Sequence, residues 1–155
     1  MSNRRFKVGL ISDTHNLVRP EAKHALAGVD RILHAGDICG TKVLDELREI
    51  APVVAVRGNN DRGVWAESIQ VTSAIEIGGV SIYILHDLNE LDLDLKTAGF
   101  RVVISGHSHR PLIRDKNGVL FVNPGSAGPR RFTLPVTLGF LEICQGDVRA
   151  KLHAL

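Results

Sequence analysis

The chain has 155 residues, which fits one domain of ordinary size spanning residues 1–155. Hydrophobic residues make up 44% and the formal net charge is +2, which excludes a disordered chain and leaves no case for a dedicated nucleic-acid patch. No apolar stretch reaches the roughly 18–20 residues that span a bilayer, and no membrane contact is expected. The charged start followed by a short apolar run, interrupted by Asp13 and His15, reads as a strand entering a site and not as a leader. Cys39 and Cys144 lie far apart without metal-type spacing, so reduced thiols and a cytoplasmic protein are expected.

In chain order, short runs rich in Val and Ile recur, and each ends in a polar or glycine-containing segment. Lys7 to Ser12 leads into Asp-Thr-His-Asn, Arg31 to Ala35 into Gly-Asp, and Val53 to Val56 into Arg-Gly-Asn-Asn-Asp. Ser81 to Leu85 leads into His-Asp, Arg101 to Ser105 into Gly-His-Ser-His, and Leu120 to Val122 into Asn-Pro-Gly-Ser. Near-continuous apolar runs of this length suit strands buried on both faces. The pattern predicts helices over Pro20 to Ala27, with Pro at the start and Gly28 after the end, and over Thr41 to Ile50. Leu88 to Ala98 fits a strand through Leu91, Leu93 and Leu95, and a helix through Leu88, Leu91, Leu95 and Ala98; Gly99 as a cap favours helix. Gly78-Gly79 predicts a tight hairpin turn between Ala74 to Ile77 and Val80 to Leu85, and a second hairpin joins Val136 to Cys144 with Val148 to Leu152. The front half therefore reads βαβαβ and the back half mostly β. Together they predict an α/β fold, a two-sheet β-sandwich flanked by helices in four αββα layers. Ligands of parallel sheets sit beyond the carboxyl ends of strands, where these polar segments fall.

Taken singly, the motifs carry modest information. In Asp13-Thr14-His15, residues two apart project to the same side, so an Asp oxygen and a His nitrogen reach one ion; an Asx turn with a surface His fits equally. Gly36-Asp37 supplies a carboxylate whose two oxygens bridge two ions, or a plain turn. Gly58-Asn59-Asn60-Asp61 offers a neutral amide ligand, or a turn. His86 ends a strand, and His107 and His109 follow Gly106 at a spacing that aims one imidazole at each of two ions. Their conjunction is specific, because turns alone have no need of four His at strand ends. His24 is read as solvated, His34 as packing or hydrogen-bonding behind the site, His153 as a residue near the end of the chain, Cys39 as buried filler, and Ser126 as part of a turn.

In this order, Asp-x-His, Gly-Asp, Gly-Asn-x-Asp, His and Gly-His-x-His resemble the calcineurin-like metallophosphoesterase superfamily. The length and Asn123-Pro124-Gly125-Ser126 are similar to its small YfcE-like phosphodiesterase family. The resemblance implies that Asp13, His15 and His109 hold one divalent metal, that Asn59, His86 and His107 hold the other, and that Asp37 bridges them. Manganese is the expected ion, with Fe, Zn, Ni and Mg as alternatives. It also implies hydrolysis of a phosphate ester, most simply a phosphodiester, by a hydroxide bridging the two ions. Asp37, Asn59, Asn60 and Asp61 are the residues nearest the chemistry. Asn16, Arg57, Arg62 and Arg110 are the candidates for substrate contact. Three departures stand out: Asn60 occupies the place of the histidine acid of many members, Asp87 replaces a common Gly after His86, and Asn16 replaces a common Gly after Asp-x-His. A non-catalytic, Vps29-like protein-interaction scaffold and a phosphomonoesterase or nucleotidase are the rival readings. A homodimer or higher homo-oligomer is compatible with all of them.

Overall fold

The computed structural model describes residues 4–155. Strands β1 (Arg5–Ile11), β2 (Arg31–His34) and β3 (Val53–Ala55) pair in parallel, joined by helices α1 (Pro20–Leu26) and α2 (Thr41–Arg48). Helix α1 starts on Pro20, whose fixed φ and missing N–H suit a first turn. Helix α2 buries Val43, Leu44 and Leu47 on one stripe. A short helix α3 (Val64–Glu67) then leads to β4 (Thr72–Ile77), β5 (Val80–Leu85), β6 (Val102–Ile104), β7 (Leu112–Lys116) and β8 (Val119–Asn123). The chain closes with β9 (Thr137–Cys144) and β10 (Asp147–Ala154), which return to the first sheet.

The two sheets run β10-β9-β1-β2-β3 and β4-β5-β6-β8-β7. In the second, β5, β6 and β8 are parallel, so both sheets carry three adjacent parallel strands. Three hairpins share one device: Gly78-Gly79, Asn117-Gly118 and Gln145-Gly146 each have positive φ at both central residues, which matches the twist of the flanking strands.

Val8, Leu10, Leu33, Ile82, Ile84, Val102 and Ile104 fill the space between the sheets and are fully buried. The outer face of the first sheet packs under α1 and α2 through Ile11, Ile32, Leu26, Val43 and Leu47. The ends of β1 and β2 and the whole of β6 are thus buried on both faces, as their unbroken apolar runs require, while β3 is half-buried.

The expected helix from Leu88 to Ala98 is a correction. The structure has a single 3-10 turn at Leu88–Glu90 followed by irregular turns. Leu91 is extended, with φ −68° and ψ 118°, which ends the turn. Asp94 then accepts hydrogen bonds from the Thr97 backbone N–H and hydroxyl at 3.3 and 2.8 Å, an alternative to helical pairing that short polar side chains favour. Leu91 and Leu95 still cover the outer face of the second sheet, against Leu85, Val103 and Val119. Among the described residues, no helix is long and apolar enough to cross a membrane.

Candidate metal centre

The loops after β1, β2, β3, β5, β6 and β8 meet at the end of the sandwich. Polar contacts there cross from one sheet to the other. The His86 Nδ1–H donates to the carbonyl of Ala35 at 2.7 Å, and the His107 backbone N–H donates to Asp13 Oδ2 at 3.1 Å. A carbonyl only accepts, so the first of these fixes the proton on Nδ1 and leaves His86 Nε2 facing the cluster.

Asp13 is fully buried. Its Oδ2 accepts from the Ser12 hydroxyl at 2.8 Å and from His107. Its Oδ1 has no hydrogen-bond partner and lies 3.4 Å from His109 Nε2 and 3.9 Å from His86 Nε2. Asp37 accepts from the Asn60 backbone N–H and side-chain amide, both at 2.9 Å, and its Oδ2 lies 3.4 Å from His86 Nε2 and 3.7 Å from His15 Nε2. His107 Nδ1 is 3.2 Å from Asn59 Oδ1 and 3.3 Å from His86 Nε2. All seven residues named as ligands from the sequence therefore lie in one cluster.

Within it, two groups have ligand atoms mutually within 4.8 Å: Asp13, His15 and His109, and Asp13, Asp37 and His86. Asp13 belongs to both, so the second group differs from the sequence expectation of Asn59, His86, His107 and Asp37 by including Asp13 and by lacking His107. The buried atoms Asp13 Oδ1, His15 Nε2 and His109 Nδ1 have no hydrogen-bond partner among the described residues. Leaving such atoms unpaired costs roughly 1–3 kcal/mol each. A divalent cation would satisfy Asp13 Oδ1 and His15 Nε2 and would meet His109 through the Nε2 that faces Asp13 Oδ1, because carboxylate oxygens and neutral imidazole nitrogens are ligands for the same borderline ions.

The electrostatics agree. Burial alone would raise the Asp37 carboxyl. The hydrogen bonds from His86 and Asn60 outweigh it and hold Asp37 well below the usual carboxylate range. Burial disfavours the His86 imidazolium, yet the hydrogen bond to Asp37 and the charge of Asp13 raise its pKa. Burial lowers that of His15, only partly offset by Asp37 and Asp13. A proton and a metal thus compete for the same imidazole nitrogens.

The backbone is strained where these side chains sit. Asp13, His15, Asp37, His107 and His109 all have φ between 45° and 71°. Residues other than glycine occupy that region at a cost of roughly 1–2 kcal/mol each, less for Asp. Such strain persists only where surrounding contacts over-determine it. Here two glycines interlock the loops. A Cβ on Gly36 would meet His86 Nδ1 at 2.7 Å and the Gly58 nitrogen at 2.9 Å, and one on Gly58 would collide with the carboxylate and backbone nitrogen of Asp37.

The layer behind these side chains was only partly assigned from the sequence, through His34 and Asp61. Gly36 N–H donates to His34 Nδ1 at 3.1 Å, so His34 Nε2 carries the proton and donates to the Thr14 hydroxyl at 3.0 Å. Complete burial pushes the His34 pKa down to about 4. Asp61, named as a catalytic candidate, is buried and accepts from the Gly58 and Cys39 backbone N–H groups, both at 2.8 Å. Asn123 donates to the Gly106 carbonyl at 3.0 Å and to the Ser108 hydroxyl at 3.1 Å, tying the Gly-His-Ser-His loop to β8. Ser126 donates to the Asp13 carbonyl at 3.0 Å, behind the site. Cys39 Sγ lies 3.6 Å from His15 Nδ1, and burial with the nearby carboxylates pushes its thiol up to about 11.

The substrate candidates are spread around the rim. Arg57 lines a cleft of about 400 Å³ beside Asn59 and His86, together with Asp87, Glu90 and Asp92. Arg110 lines a second cleft of about 580 Å³ beside His107 and Asp87. Arg62 is exposed, and the Asn16 side chain lies over Gly40. Asp87 caps the 3-10 turn through Asn89 N–H at 3.0 Å and lies 3.9 Å from His107 Nε2. Sequence reasoning missed Arg131, whose charge acts on His15 from the loop after Ser126; the adjacent Arg130-Arg131 pair was its only signal.

Comparison with known proteins bears directly on this centre. The model of the calcineurin-like phosphoesterase superfamily domain matches residues 6–146. A probable metallophosphoesterase of Methanothermobacter thermautotrophicus is 38% identical over 143 residues, covering 83% of this chain and 81% of that protein. Among solved structures, a novel archaeal phosphodiesterase superposes with a TM-score of 0.80 at 26% identity, over 96% of this chain and 100% of the other. Vacuolar Protein Sorting 29 from Cryptosporidium parvum superposes with a TM-score of 0.77 at 20% identity, over 97% and 98% of the two chains.

Proposed function

The chain belongs to the calcineurin-like phosphoesterase superfamily, and we propose that within it the protein is a binuclear, metal-dependent phosphodiesterase. The observation that carries the reading is the set of unpartnered buried atoms on Asp13, His15 and His109, gathered where strained backbone presents ligand-type side chains. Asp13, His15 and His109 would hold one ion, and Asn59, His86 and His107 the other. Asp37 would lie between them, and Asp13 reaches toward both groups. Manganese suits the mixed oxygen and nitrogen set. When bound, such an ion pair supplies Lewis-acid polarisation of the phosphoryl group and a water of lowered pKa.

The chain's own residues do the rest. Asn60 anchors Asp37 through two hydrogen bonds and keeps its carboxylate ionised. The His86 tautomer is set by Ala35. Arg57 and Arg110 line the clefts beside the centre and can neutralise the phosphoryl oxygens. No side chain in the place of the usual histidine acid can protonate a leaving group, since Asn60 has no titratable proton.

The test is hydrolysis of bis(p-nitrophenyl) phosphate and of p-nitrophenyl phosphate by the manganese-loaded protein. A higher kcat/KM on the diester is expected. A higher one on the monoester would favour the phosphomonoesterase reading. Absence of hydrolysis with every divalent ion, in a folded protein, would favour an interaction scaffold, the reading to which the likeness to Vacuolar Protein Sorting 29 lends its fold.

A further inference from the structure

The two clefts that border the metal centre differ in chemistry. The one beside Asn59 is acidic, through Asp87, Glu90 and Asp92. The one beside His107 is walled by Leu88, Pro111, Leu112, Phe121 and Leu134. Those walls come from separate stretches of chain: the turn after β5, the start of β7, β8, and the loop that carries Arg131. Leu88 is 39% exposed and Leu112 48%, and neither they nor Leu134 belong to a core cluster. Folding therefore gains little from three leucines that line one groove. Exposed apolar side chains are ordinary when scattered and informative when they converge.

Three features point to a small-molecule occupant. The groove holds about 580 Å³, within the range of about 300–1,000 Å³ typical of small-molecule sites. It is continuous with the metal centre through His107. Arg110 lines it next to that end, where a cation would meet the single negative charge of a phosphodiester. The acidic cleft carries fewer apolar side chains, Val71, Tyr83 and Leu85, among its carboxylates, so the two sides of the centre suit unlike groups.

We propose that this groove binds one arm of the substrate, an apolar alcohol esterified to a phosphoryl group seated at the metal centre. The inference rests on the phosphodiesterase reading and assigns its substrate class: an asymmetric phosphodiester with one apolar arm. Leu88, Leu112, Phe121 and Leu134 select that arm, and Asp87, at the wall shared by both clefts, discourages it from the acidic side.

The experiment measures binding, so that it does not depend on turnover. Dimethyl phosphate and hexyl methyl phosphate, which lack a good leaving group, are titrated calorimetrically into the manganese-loaded protein. Five extra methylenes, each about half covered in the groove, correspond to roughly thirtyfold tighter binding. Leu112→Gln and Leu134→Gln are each expected to reduce that ratio at least about threefold. The ratio is the readout because a general loss of folding or of metal leaves it in place. A ratio near one in the wild type overturns the proposal. So does a high ratio that neither variant changes, or a dimer in sedimentation that Leu112→Gln dissociates, which would assign the face to a second copy. Hydrolysis of bis(p-nitrophenyl) phosphate, measured alongside, separates the two readings: turnover with a flat ratio sinks this inference alone, and a high ratio without turnover sinks the phosphodiesterase reading and with it the substrate role of the arm, leaving only a groove that binds apolar phosphodiesters.

Discussion

His34 gives a prediction that depends on the structure and not on family membership. It is fully buried, neutral, and held between Gly36 N–H and the Thr14 hydroxyl, so it links the Asp-x-His loop to the Gly-Asp loop. Its pKa in the fold is pushed down to about 4 from 6.5. Because the folded value lies below the unfolded one, the unfolded chain takes up the proton first. The contribution of a neutral His34 is complete above about pH 6.5 and is lost as the pH falls toward 4. Between pH 7 and pH 5 the loss comes to about 2 kcal/mol, and it levels off near 3 kcal/mol below the folded value. The assay is urea unfolding of wild type and His34→Gln at both pH values, with a chelator present so that proton–metal competition does not contribute. The wild type should lose about 2 kcal/mol more than the variant over that interval. An NMR titration should also find the His34 ring neutral at pH 5. Identical pH dependence in the two proteins, or a ring that titrates near 6.5, would refute the reasoning.

Other perturbations probe the centre itself. Asp37→Ala removes the carboxylate that Asn60, His86 and His15 surround. Metal-stimulated hydrolysis should fall by at least about a hundredfold, more than loss of an outer partner costs. Full activity would remove Asp37 from its assigned place. Gly58→Ala replaces no ligand, yet its methyl would collide with Asp37. It should destabilise the fold by about 1–3 kcal/mol and weaken metal binding, read by thermal unfolding and metal titration. A leaving-group series tests the lack of a general acid. Diphenyl phosphate should react at least about 10²-fold more slowly than bis(p-nitrophenyl) phosphate, and near-equal rates would require a proton donor not yet identified.

The sequence made the β-α-β front half and the seven clustered side chains legible for one physical reason. Strands buried on both faces leave long apolar runs, and polar residues between them collect at strand ends. What lay behind those side chains was only partly legible: His34 and Asp61 stand beside motifs, but Asn123 and Ser126 act across loops far apart in the chain. Leu88 to Ala98 was misread since its leucines serve a sheet face from irregular turns, a pattern that imitates helical spacing. Strand β7 escaped notice because every residue of Leu112–Lys116 is exposed, although Asn117-Gly118 carried a hairpin signal. Arg131 escaped because surface arginines look alike until a fold brings one near a buried cluster.

The central claim is a two-ion centre that hydrolyses phosphodiesters, and metal stoichiometry measured together with activity tests it most directly. Titrating manganese into the metal-stripped protein, with bound ion and bis(p-nitrophenyl) phosphate hydrolysis followed in parallel, should give two ions per chain and activity that appears as the second binds. Full activity with one ion per chain, or two bound ions without hydrolysis, would contradict it.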